Sequence, residues 1–329
     1  MQPFLKTQII FLIFVMSATF SHFSFAESTH PIKISVLKFG TINWTLETIK
    51  NSGLDEKNNF KLIVQPLAST QASKIALQAN ATDIIASDWT WVARQRGSPS
   101  NYLFAPYSSS AGSIMVPAQS TIQSIDDLVG KNLGIAGRAL DKNWLLLRTL
   151  ALRNGIDLNK AATKTFGAPP LLNNLIQRNE LDALINFWHY SARLKAKGYR
   201  ELISTHGIIH QLGIHTTVPI LGYVFNEEWA NKNTIQLNGF LSASREAADL
   251  LCTSDKHWNA ILPLTRAKDK TTQQMLRNGY CKGRITHFGQ KEKQAISDIY
   301  TLLYKVGGQK LIGSVKTLDP NLFWNETQH

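Results

Sequence analysis

Hydrophobic positions along this chain change period several times, and each change marks a new element. Ile32-Lys33-Ile34-Ser35-Val36-Leu37 alternates apolar and polar residues, the two-residue period of a strand. Asn43 to Asn51 shifts to a helical period that leaves Trp44, Leu46 and Ile49 to pack. Phe60 to Val64 is a second strand. Gln71 to Ala79 is a helix behind the cap residues Ser69 and Thr70. Asp83-Ile84-Ile85-Ala86 is a third strand, with a helix after it that carries Trp89, Trp91 and Val92. Strands that alternate with helices in this order form a mostly parallel sheet with helices on its faces, an α/β fold.

After Gly112 to Val116, a strand ended by Pro117, the pattern starts again. Asn132–Ala136, Lys164–Phe166 and Asp182–Asn186 read as strands. Between them lie a short helix over Ile125–Val129, a long one opened by Asp141 and stopped at Asn154-Gly155, and one begun by Pro169-Pro170. Val218 to Phe225 reads as a strand, and the remainder is almost all helix. The economical arrangement is two lobes. Residues 27–116 and 217–329 make the first, with the C-terminal helices, and residues 117–216 make the second. The chain then crosses between lobes twice, near Val116 and near Thr217. Two such strands form a hinge, and two hinged lobes enclose a cleft that closes on a ligand.

The N-terminus changes the picture of where this happens. Lys6 is the only charge among the first 26 residues, an apolar run follows from Ile9 to Met16, and Ser24-Phe25-Ala26 suits signal-peptidase cleavage after Ala26. Ser17, Thr19, Ser21, His22 and Ser24 break the apolar stretch too early for a membrane span, which needs about 20 residues. With no Cys near the cut, no lipid anchor is expected. The expected product is a periplasmic, monomeric protein of about 300 residues.

Charge and cysteines refine this further. The formal net charge is +12, but Lys and Arg are scattered and no basic run is interleaved with aromatics, so no nucleic-acid partner is expected. A bias towards anionic ligands remains. An oxidising compartment and an even count make a Cys252–Cys281 disulfide the default, and neither residue sits in a C-x-x-C motif.

Ligands of open parallel sheets bind beyond the carboxyl ends of strands, where helices begin. Those places hold Gly40, Thr41, Asn43 and Trp44; Ser69 and Thr70; Asp88 and Trp89; Ser109; Arg138 and Leu140; and Trp188 and His189. Glycines, hydroxyls and tryptophans together make apolar walls with a few aimed donors. Trp44, Trp89 and Trp188 are candidates to stack on a flat ligand, Asp88 to hold a cationic group, and Arg138 to hold an anionic one. Each also has a plainer reading: core packing for the tryptophans, a helix cap for Asp88, a solvated loop for Arg138.

Other chemistry is poorly supported. His206, His210 and His215 crowd together, but their spacing fits no strong zinc motif and Gly207 and Gly213 interrupt any helix that would align them, so no metal site is expected. No G-x-S-x-G, P-loop, G-x-G-x-x-G or H-E-x-x-H motif occurs, and neither an enzyme activity nor a cofactor is expected.

Five stretches carry a family resemblance: Lys38-Phe39-Gly40-Thr41, Ser69-Thr70-Gln71-Ala72, Ala86-Ser87-Asp88-Trp89, Ser124-Ile125-Asp126-Asp127-Leu128-Val129-Gly130-Lys131 and Asn186-Phe187-Trp188-His189-Tyr190. Through them, from about Ile32 to Val224, the chain resembles the solute-binding proteins of sulfonate, taurine and nitrate ABC importers (SsuA/THI5-like, NMT1-like). The resemblance implies the two-lobed periplasmic-binding-protein fold of type II, a small-molecule ligand and an ABC permease partner in the inner membrane. It leaves a sulfonate, a nitrate-like anion, a pyrimidine or a metal chelate open as ligand, and a periplasmic sensor for a membrane signalling partner open as an alternative role. The family also contains pyrimidine-synthesis-like enzymes, against which export argues. The sequence departs from the family where His189 follows Trp188 in place of the frequent acidic residue, and where Trp44 and Trp89 are bulkier than usual.

Overall fold

The computed structural model describes residues 30–96, 101–309 and 315–326. The expected signal peptide and its cleavage site after Ala26 lie outside the described residues. The chain begins with β1 (His30–Leu37), α1 (Ile42–Asn51), α2 (Leu54–Lys57), β2 (Phe60–Leu67), α3 (Thr70–Gln78), β3 (Ile84–Ser87), α4 (Trp89–Gln95) and β4 (Tyr102–Ser108). It continues with β5 (Gly112–Val116), β6 (Asn132–Ala136), α5 (Lys142–Arg153), α6 (Leu158–Ala161), β7 (Thr163–Gly167), α7 (Pro169–Gln177), β8 (Ala183–Phe187), α8 (Trp188–Lys195), β9 (Arg200–Ser204) and α9 (Thr205–Gln211). It ends with β10 (Leu221–Asn226), α10 (Glu227–Lys232), α11 (Thr234–Thr253), α12 (Asp255–Thr265), α13 (Lys270–Lys282) and α14 (Gln290–Gly307).

Two five-stranded sheets organise these elements, in the orders β2-β1-β3-β10-β4 and β7-β6-β8-β5-β9. In each sheet three strands pair in parallel, and a fourth, β10 or β5, runs antiparallel to both of its neighbours. Helices cover the sheets, so the α/β architecture is the one the alternating pattern predicts, although each sheet is mixed and not mostly parallel.

The same local device precedes β3 and β8, in chain order the third of the parallel strands of each sheet. Asn80 and Asn179 both take positive φ, of 55° and 59°. Three residues later Asp83 and Asp182 each accept a 2.7 Å hydrogen bond from a backbone N–H fifty residues upstream, on Lys33 and on Asn132. Asparagine tolerates the left-handed turn better than most residues, and the short carboxylate then pins the first strand to the third.

Two expectations need correction, on the first crossing and on the tail. β5 is a strand of the second sheet, so the first crossing comes at residues 109–111 and not after Val116. The second crossing lies between α9 and β10, and Ile220 donates to the Ser108 carbonyl at 2.9 Å, tying the two hinge segments together. The tail does not return to the first lobe alone: α14 packs on α5, and α13 packs on α8. The strands β4 and β9 were not anticipated at all.

A single apolar core therefore runs from Ile85, Val92 and Phe104 of the first lobe through Ile114, Ile135 and Leu147 of the second to Ile296, Ile299 and Leu303 of α14. Cys252 and Cys281 are disulfide-bonded with Cα atoms 5.6 Å apart, joining the ends of α11 and α13.

Candidate ligand-binding cleft

The facing ends of the two lobes are built by helix N-termini. Asp88 caps α4, accepting from the Trp91 N–H at 3.0 Å and from the Thr90 hydroxyl. Its other oxygen meets the Lys142 ammonium of the second lobe at 3.0 Å. Lys142 is the first residue of α5, whose cap is Asp141, accepting from Asn143 N–H at 2.9 Å. Both bridging side chains are about one-fifth exposed, at 20% for Lys142 and 19% for Asp88. Burial works against the Asp88 charge, but Lys142, the Thr90 hydrogen bond and Lys74 outweigh it and hold the carboxyl well below the usual carboxylate range. Lys74, on α3, is the second cation here: burial lowers its pKa, with Asp88 pulling back and Arg94 and Lys142 pushing further. The neighbouring Asp141 is shifted up by burial, against Lys142 and the two capped amides.

A second seam of contacts is aromatic. Trp44 of α1 and Trp188 of α8 meet edge-on across the lobes, with ring centroids 5.9 Å apart. Trp44 also packs on Trp258 and Tyr280 at 5.7 and 5.8 Å. Thr45 bonds both phenols, Tyr107 at 2.7 Å and Tyr280 at 2.6 Å. α13 reaches this seam because Gly279 has no side chain, since a Cβ there would lie 2.8 Å from the Trp188 ring. Arg193 adds a polar tie, donating to the Thr265 carbonyl at 2.5 Å. What remains between the lobes is a gap of about 20 Å³, bordered by Thr41, Ser108, Ser110, Trp188, Tyr280 and Arg284 among others. That is room for about one water molecule. The lobes are closed upon each other.

The thirteen predicted ligand residues divide into three groups. Thr41 and Trp188 border the interlobe gap, Asp88 bridges the lobes, and Trp44 is 4% exposed within the aromatic seam. His189 packs between Trp188 and Tyr190, its Nδ1 buried with no partner among the described residues. Burial, with the Arg193 charge, pushes its pKa down to about 3, so the ring is neutral. Gly40 and Asn43 instead border a separate cavity of about 430 Å³ on the first lobe, where Asn43 braces the loop by donating to the Leu37 and Gly40 carbonyls. Ser109 holds the hinge to α13 through its N–H on the Gly283 carbonyl at 2.9 Å.

Ser69 caps α3 through the Ala72 N–H and, with Thr70, is exposed. Arg138 and Leu140 are exposed on the turn before α5. Trp89 departs furthest from expectation. It is 0% exposed, and its indole N–H donates to the Pro219 carbonyl at 2.9 Å, so it props the second hinge segment and offers no face to a ligand in this conformation. Among the described residues no cluster of three or more His, Cys, Asp or Glu side chains is arranged to hold a metal ion.

Lys142, Lys74 and Tyr280 escaped prediction. Lys142 had a signal: a cation in the first turn of a helix opposes the macrodipole, which makes it costly without a nearby anion. Tyr280 and Gly279 had none, because the tail read only as covering helix.

No curated protein matches the sequence. Solved structures share the fold. The periplasmic aliphatic sulphonate-binding protein SsuA from Escherichia coli is 17% identical, with a TM-score of 0.69, over 88% of this chain and 96% of that one. The alkanesulfonate-binding protein SsuA from Xanthomonas axonopodis pv. citri, bound to MOPS, is 15% identical with a TM-score of 0.66, over 89% and 98%. The periplasmic nitrate-binding protein NrtA from Synechocystis PCC 6803 is 11% identical with a TM-score of 0.60, over 85% and 82%. A family model described as NMT1/THI5 like matches residues 61–255, more than half of the sequence, and the chain belongs to that family.

Proposed function

We propose that this protein is a periplasmic solute-binding receptor of an ABC importer that captures a small organic ligand between its lobes by hinge closure. One observation carries the reading. Two sheets are joined by a pair of mutually bonded crossings, and the N-termini of α4 and α5 face each other across the joint. The sulphonate- and nitrate-binding neighbours support it. Among the described residues no helix is long and apolar enough to cross a membrane. No bond-making step is assigned to it.

Closure here is completed by the protein's own side chains. Lys142 takes the place on Asp88 that a ligand ammonium would otherwise take, and Trp188 rests on Trp44. A ligand enters by parting these contacts. Lys74, Lys142 and Arg94 lie about the two carboxylates of Asp88 and Asp141, a balance that favours an anionic head group. A compact sulfonate, a zwitterionic aminosulfonate or a nitrate-like anion fits that charge balance, and the tryptophan pair suits an apolar body. Affinity then comes from the difference between the open and closed states.

Native mass spectrometry of the protein from a periplasmic extract, followed by small-angle scattering with and without the co-purified molecule, tests this. One bound equivalent and a smaller radius of gyration with ligand are expected. Scattering that does not change with any sulfonate, nitrate-like anion or aminopyrimidine that raises the melting temperature would sink hinge closure.

A further inference from the structure

The interlobe gap adjoins a much larger cavity. A space of about 570 Å³, the size of a small-molecule site, lies wholly within the first lobe and its tail, between β4, α11, the 284–288 segment and the chain's last described residues. It shares Tyr107, Ala248 and Arg284 with the interlobe gap. We propose that this cavity is a second ligand site, for a planar organic monoanion bearing a carboxylate or similar oxyanion.

Arg284 carries the chemistry. Its Nη1 donates to Asp249, while its Nε is buried and has no acceptor among the described residues. The side chain as a whole stays 28% exposed at the cavity wall, where an oxyanion can meet the guanidinium. The residue is also held in place. Its N–H bonds the Cys281 carbonyl at 3.3 Å, it bridges to Ser108 of the hinge, and the disulfide fixes the chain three residues earlier. Cations outnumber carboxylates on the cavity wall. Glu326 and Asp249 are spent on Arg245 and Arg284, leaving Lys293, whose ammonium donates to the neutral Asn325 amide at 2.8 Å and lies over the Phe288 and Phe323 rings, with no carboxylate partner among the described residues. The remaining wall includes Tyr107, Tyr223, Phe288 and Trp324, rings that suit a flat body. Because Arg284 and Tyr107 border both spaces, an occupant here touches the hinge without entering the cleft.

4-Bromobenzoate is the probe. Titration calorimetry on the full mature protein is expected to give saturable one-to-one binding, and crystals soaked with it are expected to show the bromine's anomalous peak inside this cavity. Arg284→Gln should weaken binding about tenfold or more. Thr286→Trp, at an exposed wall position, should weaken it as much by filling the space while leaving the melting temperature unchanged. The proposal fails if binding does not saturate, if the bromine lies in the interlobe gap or on the outer surface, or if both variants bind as the parent does.

Discussion

The two lobes share a frame and differ in how the helices α4 and α8 begin. Each sheet has three parallel strands, an antiparallel fourth, and an Asn-x-x-Asp turn that clamps the first strand to the third. The helix after β3 starts behind Asp88, a side-chain cap that also reaches the other lobe. Its counterpart after β8 starts behind Phe187, with no side-chain cap, and places Trp188 and His189 at its open end. The frame is set by rules that repeat, while the function is set by the few residues at strand ends that do not. The charged cap of the first lobe meets Lys142 of the second, and the uncapped helix of the second lobe presents an aromatic pair to Trp44 of the first.

The largest test removes something only the first lobe's tail has. Replacing both Cys252 and Cys281 by Ser should cost about 3 kcal/mol, read as a lower denaturation midpoint, because the bridge closes a loop of 29 residues. An unchanged midpoint would show that α11 and α13 are held by packing alone. Next come the twin turns. Asp83→Ala and Asp182→Ala each delete one carboxylate-to-backbone bond and should each cost about 1.5 kcal/mol. A large difference between them in chemical denaturation would break the equivalence of the two frames.

The uncapped side has its own pH signature. His189 titrates near 3 when folded and near 6.5 when unfolded, so the unfolded chain binds the extra proton between those values. Its contribution is present above about pH 6.5 and is lost as pH falls towards 3, by at most about 1.4 kcal/mol per pH unit. Asp88 acts in the same direction at lower pH. His189→Phe should flatten the fall in melting temperature between pH 6.5 and 4, and a slope that does not change would move the titration elsewhere. The smallest effect belongs to the bridge. Asp88→Asn keeps a cap but leaves Lys142 without its anion, at about 1 kcal/mol. It should show mainly as a larger radius of gyration in scattering without ligand.

Much of the frame was legible because its signals are local. Alternation marks β1, Pro169-Pro170 marks α7, and Ser69, Asp88 and Asp141 each cap the helix they precede. The strands that stayed hidden, β4 and β9, are both sheet edges at corresponding positions. β4 contains Pro106, which an edge tolerates, and β9 begins Arg200-Glu201 and is half-buried along its length. Only the partner strand makes such segments into strands. The site was legible to the extent that strand ends are. Asp88 and the Trp44–Trp188 pair each bridge the lobes, whereas Trp89 turned inward because its N–H satisfies the hinge carbonyl of Pro219. The contribution of α13 depends on a glycine-to-tryptophan contact spanning some ninety residues of chain, which no local pattern carries.

The apolar core that runs unbroken from Ile85 through Ile114 to Leu303 ties the protein's motion to temperature. Parting the lobes would bring some of that surface into water, so opening should absorb heat capacity. Cooling weakens the apolar adhesion that keeps them shut. The empty protein would then gape more readily in the cold, and the lobes' opening would follow a curve in temperature and not a straight line.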